Sequence, residues 1–195
     1  MSQNIHALKK KTLWWVLTVG SIAGLAASFI QTIEKINYAK HPTVPLTCDL
    51  NAIFSCSNVF DAWQSSVFGF SNSLMCIVFF ALTAGVAFAG ASGSLINKKL
   101  RYILHFFSVF FLGFGAWYLW QSTYRIGYIC VFCVICYSAV ITMNWAWLRL
   151  NANDLFASET SSKRWKSIEA QGADTFVWIL WGIFIAGMIA LHFFN

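Results

Sequence analysis

Five long apolar stretches, approximately Leu13–Ile33, Leu74–Ala91, Tyr102–Tyr124, Ile126–Leu148 and Thr175–Phe194, constrain this chain more than any other feature. Each is about as long as a helix needs to be to cross a bilayer, roughly 20 residues at about 1.5 Å rise apiece. None contains Asp, Glu, Lys or Arg, and Arg125 falls between the third and the fourth. With 58% hydrophobic and only 10% charged residues, against about 25% charged in an ordinary soluble domain, a water-soluble fold is excluded. The expectation is an all-α integral membrane protein of five transmembrane helices. Small residues such as Gly20, Gly24 and Ala27 would let those helices approach closely.

The basic residues set the orientation, because Lys and Arg gather on the cytoplasmic side. Lys9, Lys10, Lys11, Lys98, Lys99, Arg101, Arg149, Lys163, Arg164 and Lys166 share one side, leaving Lys35, Lys40 and Arg125 on the other. The net charge of +6 is therefore topogenic and does not form a nucleic-acid surface. This predicts a cytoplasmic N-terminus over residues 1–12 and a four-helix membrane domain over 13–150, whose outer loop is 34–73. A cytoplasmic connection over 151–174 and a fifth helix over 175–195 follow. The first span lacks an A-x-A-like exit and reads as an uncleaved helix rather than a signal peptide. Trp14, Trp15, Trp145, Trp147, Trp178 and Trp181 are expected near helix ends, as an interfacial belt.

Six cysteines are distributed unevenly. Cys48 and Cys56 lie in the outer loop, while Cys130 and Cys133 form a C-x-x-C where the fourth helix begins, at the same membrane surface. Disulfides persist on that side. Residues three apart share a helix face, and the helix N-terminus favours a thiolate, so Cys130 and Cys133 form a redox-capable pair. Between Cys48 and Cys56, the spacing of Leu50, Ile53 and Phe54 predicts a short amphipathic helix on the membrane surface. Its cysteine pair could collect electrons from a soluble dithiol and pass them to the C-x-x-C by thiol–disulfide exchange. A four-cysteine zinc site is disfavoured by the wide first spacing and the apolar setting of the second pair. Cys76 and Cys136 read as packing residues, as do His41, His105 and His192.

Tyr137 lies one helical turn beyond Cys133, and Asn72 stands where the loop enters the second helix. Each has a plain reading, as an interfacial tyrosine and a capping asparagine. Together they supply donors for two carbonyl oxygens near a membrane-edge thiol, which is what a quinone pocket requires. Phe60, Phe68 and Phe70 could provide its aromatic walls.

The order Leu-Cys48-Asp through Ser-Cys56-Ser57, then Phe68-Gly69 with Asn72, then Cys130-Val-Phe-Cys133 with Tyr137, resembles the vitamin K epoxide reductase family over roughly residues 13–150. The order also separates the chain from the DsbB type, which carries its C-x-x-C in the first outer loop. The resemblance implies a four-helix bundle around a quinone of ubiquinone, menaquinone or vitamin K type, with the loop as a lid and the fifth helix peripheral. It implies that Cys133 reacts with the quinone and that Cys130 is its disulfide partner. Cys56 would be the shuttle that attacks Cys130, and Cys48 the cysteine first engaged by the external dithiol. Asn72 and Tyr137 would bind the quinone oxygens. The implied activity is oxidation of a soluble thioredoxin-like (DsbA-like) protein, which must be a separate chain because no thioredoxin domain follows Phe194. Vitamin K quinone or epoxide reduction is the family alternative, and a non-enzymatic scaffold with one loop disulfide is the other. The fifth span, with no N-x-[ST] acceptor and no retrieval tail, favours a bacterial inner membrane over the endoplasmic reticulum.

Overall fold

The computed structural model describes residues 2–194. It contains α1 (Ser2–Lys40), α2 (Cys56–Asp61), α3 (Asn72–Ala91), α4 (Lys98–Gln121), α5 (Val131–Leu155), α6 (Glu159–Gln171) and α7 (Ala173–Phe194). A 3-10 turn spans Trp63–Ser66, and a π-helical turn, Ser122–Ile126, extends α4. The helices α1, α3, α4, α5 and α7 are long and apolar enough to cross a membrane. Because hydrocarbon offers no hydrogen bonds to backbone groups, closed helices are the form such segments must take.

The bundle centres on α1, which packs against both α3 and α5, while α4 closes the other side of α5. Gly24 of α1 has the Phe80 ring of α3 where a Cβ would stand, so the absent side chain makes room for a buried aromatic ring. Trp14 and Trp147 are not belt residues. Both are buried and meet edge to face with centroids 5.7 Å apart, because an indole at the α1–α5 seam gains more from packing than from the interface.

At the end of the bundle away from Cys48, Cys56 and Cys130, ion pairs fasten the helices. Arg149 donates from Nε and a terminal nitrogen to Asp174 at 2.6 and 2.8 Å, a bidentate pair joining α5 to the start of α7. Arg101 and Lys98 of α4 hold Asp154 of α5 at 2.7 and 3.0 Å. Between α5 and α7, α6 lays Trp165 against Phe156.

The segment between α1 and α3 forms a cover over the cysteine end of the bundle. The amphipathic helix expected between Cys48 and Cys56 is absent. The Asn51 side chain accepts from the backbone N–H groups of Ile53 and Phe54, both at 2.9 Å, and Leu50 N–H donates to the Phe54 carbonyl. This asparagine turn competes with helical bonding and wins. The helix starts instead at Cys56, where Asp49 Oδ1 accepts from Ser57 N–H at 3.1 Å.

Candidate functional site

Two short backbone bonds align the cysteines. Ser55 N–H donates to the Ile129 carbonyl at 3.2 Å, and Ile129 N–H donates to the Ile53 carbonyl at 2.8 Å, a parallel bridge between the loop and the strand-like entry to α5. The next residue on each side is a cysteine. Cys56 Sγ and Cys130 Sγ consequently lie 3.5 Å apart, both fully buried. Cys56 is also joined to Cys48 in a disulfide, while Cys130, Cys133, Cys76 and Cys136 are free thiols.

Cys130 occupies the N-cap of α5 in an extended conformation. Its thiol is held below its ordinary range by the Cys133 thiol that donates to it and by the N–H groups of Cys133 and Phe132, which outweigh the opposing effect of burial. The carboxyl of Asp49 is likewise below its usual range. Burial pushes it up, but donors from Ser57, Leu46 and Ser55 prevail. Asp49 thus ties both ends of the turn that carries Cys48 and Cys56.

Cys133 faces inward onto a narrow cavity of about 70 Å³ among α1, α3, α4 and α5. Asn72, Tyr137 and Phe60 line the same cavity, as do Cys76 and Cys136, whose sequence reading was packing alone. Asn72 donates to the Gln64 carbonyl at 2.7 Å and accepts from Val67 N–H at 3.2 Å, which anchors the 3-10 turn and leaves one amide N–H free. Tyr137 accepts from Trp181 Nε1 at 2.9 Å, and among the described residues nothing accepts from its hydroxyl. These free donors, a thiol and the surrounding rings of Phe60, Phe80, Phe111 and Phe114 suit a flat ring bearing two carbonyl oxygens. Phe68 stands outside this lining and packs on Phe114; Phe70 lies against Phe68.

The fifth helix is less peripheral than the resemblance implies. Trp181 on α7 makes the bond to Tyr137, and Ile185 packs beside it. The Tyr137 ring reaches this position across Gly115 of α4, where a Cβ would strike the ring.

Among the cavity residues that sequence reasoning missed are Gln31, Lys35 and Tyr118. Gln31 Nε2 donates to Cys133 Sγ at 3.3 Å. Lys35 Nζ donates to Ser65 Oγ and Ser66 Oγ, both at 2.8 Å, and lies 5.8 Å from the Phe60 ring centroid. The available signal was their spacing of four at the end of an otherwise apolar span, which puts both on one face. Tyr118, buried on α4, carried no comparable signal among so many aromatic residues.

No curated protein matches the chain. The model of the vitamin K epoxide reductase family matches residues 15–148, a stretch that draws on all four helices around the cavity and holds every cysteine. On that match, the chain belongs to the vitamin K epoxide reductase family of membrane thiol–disulfide and quinone oxidoreductases.

Proposed function

We propose that this protein oxidises a soluble thioredoxin-like dithiol protein on the non-cytoplasmic side of a bacterial inner membrane and passes the electrons to a membrane quinone. The observation that carries the proposal is the 3.5 Å approach of Cys56 to Cys130, with Cys133 on the wall of the cavity just beyond. The excess of basic residues at the opposite end of the bundle supports the orientation.

In the proposed relay, a partner thiolate attacks Cys48, breaking the Cys48–Cys56 bond and freeing Cys56. The partner's second thiol then displaces Cys48 and leaves the partner with a disulfide. Cys56 attacks Cys130 of an oxidised Cys130–Cys133 pair and releases Cys133 as a thiolate. Cys48 next recaptures Cys56, which returns the loop disulfide and leaves Cys130 and Cys133 reduced, the arrangement described above. A quinone in the cavity would supply the sink for two electrons and two protons. Cys130 and Cys133 give up both as their S–S bond reforms, so partner dithiol and quinone become partner disulfide and hydroquinone. Asn72 and Tyr137 donate toward the two oxygens, and the Phe60 ring keeps water out.

The test is quinone-dependent oxidation of a reduced thioredoxin-like protein by the purified chain in lipid vesicles. Activity is expected to disappear in Cys133→Ala and Cys56→Ala. Activity surviving Cys133→Ala would overturn the proposal.

A further inference from the structure

The cavity wall that faces the C-x-x-C carries an arrangement the cysteine relay does not use. Gln31 and Lys35 lie one turn apart on α1, both half-buried, and both line the cavity that Cys133 enters. The Gln31 amide nitrogen points at Cys133 Sγ from 3.3 Å, while the Lys35 ammonium is held one turn farther along by Ser65 and Ser66. A primary amide N–H is a donor, and its value to sulfur rises sharply when the sulfur is charged.

Of the other groups facing Cys133, Cys130 accepts from the Cys133 thiol when both are reduced, Cys136 and Cys76 are thiols in apolar surroundings, and the buried phenol of Tyr118 on α4 is a second hydrogen-bonding partner of Cys133. Yet the relay creates a moment when Cys133 must carry charge alone. When Cys56 attacks Cys130, the S–S bond to Cys133 breaks and the electron pair leaves on Cys133. At that moment Cys130 is bonded to Cys56 and has no proton to share. A poorly stabilised leaving thiolate slows such an exchange.

Resting on the function proposed above, we infer that Gln31 is a catalytic residue of the chain: its Nε2–H stabilises Cys133 as the leaving thiolate, with the Lys35 ammonium contributing the favourable field. The inferred step forms Cys56–Cys130, breaks Cys130–Cys133, and leaves the negative charge on Cys133, where the Gln31 amide already stands. No further oxidant or proton donor enters this step.

The experiment isolates Cys133 from the relay. In a Cys130→Ala background, the pH dependence of iodoacetamide alkylation of Cys133 is followed by peptide mass mapping, comparing the parent with Gln31→Met and Gln31→Glu. Methionine keeps the length and loses the donor; glutamate keeps the shape and presents only acceptors. Both are expected to lower the thiolate fraction of Cys133 at fixed pH by about tenfold, with Gln31→Glu at least as severe as Gln31→Met. Lys35→Met is expected to lower it by a smaller factor, while lipid-facing Ile33→Ala leaves it unchanged. Retention of the Cys48–Cys56 disulfide reports that each variant is folded. An alkylation profile that stays within twofold of the parent in whichever Gln31 variant folds overturns the inference. Because this assay involves neither quinone nor partner, that result leaves the relay itself standing, whereas activity in Cys133→Ala would remove the relay without touching the alkylation profile.

Discussion

Cys56 and Cys130, separated by most of the membrane domain in sequence, are brought to 3.5 Å by two backbone hydrogen bonds that Ile129, the residue before Cys130, makes with Ser55 and Ile53 of the loop. The proposed exchange step would therefore need little movement of the loop once Cys56 is free. In a Cys48→Ala, Cys133→Ala protein, Cys56 and Cys130 are expected to form a disulfide on mild oxidation. Mass spectrometry of the cross-linked peptides checks this, and two free thiols under those conditions would count against the geometry.

Asp49 makes a second prediction through its three donors. Its carboxyl sits below the ordinary unfolded value of about 3.9, so it stabilises the loop at pH above that value. That contribution is lost as pH falls through the depressed folded value. Asp49→Ala is expected to remove it at all pH values, accelerating proteolysis of the loop severalfold at neutral pH. The difference between parent and variant should vanish in strong acid, as limited proteolysis with an acid-stable protease would reveal.

Gly115 and Trp181 hold Tyr137 from opposite directions. Gly115→Ala places a methyl group against the ring, and Trp181→Phe removes a bond worth about 1 kcal/mol. Both are expected to raise the quinone KM, by roughly threefold to tenfold, while Cys56–Cys130 cross-linking proceeds normally. Steady-state kinetics with quinone as the varied substrate separates the two effects.

The Arg149–Asp174 pair fastens α7 to α5 where Asp174 is nearly inaccessible. Arg149→Gln strands a buried carboxylate, and breaking such a pair costs roughly 3 kcal/mol. Denaturant unfolding in detergent should register the loss, and loss of the Trp181 contact should raise the quinone KM in the same variant.

The spans were legible because each is a run long enough for a bilayer and free of charge, a pattern that few other structures require. The grouping of Cys48, Cys56, Cys130 and Cys133 at one end followed from counting helices. What misled was the cover: Leu50, Ile53 and Phe54 have helical spacing, but Asn51 satisfies the backbone locally and turns the chain. The bridge from Ser55 to Ile129 uses backbone atoms alone, so no side-chain pattern announces it. Gln31 was hidden for another reason, since a single amide in an apolar run acquires meaning only when the sulfur opposite it is known. Trp14 and Trp147 show the converse, because tryptophan composition suggests an interface and only the packing partner reveals a core.

The first helix, α1, runs unbroken from Ser2 to Lys40, about 58 Å at helical rise. It outreaches a hydrocarbon layer of roughly 30 Å, so its far end stands clear as a mast. Glu34 is moored to Thr47, Lys35 to Ser65 and Ser66, and Tyr38 to Asp61 along that mast. The rigging and the wall facing Cys133 are thus parts of one spar, so the same helix that anchors the cover also sets where Gln31 meets Cys133.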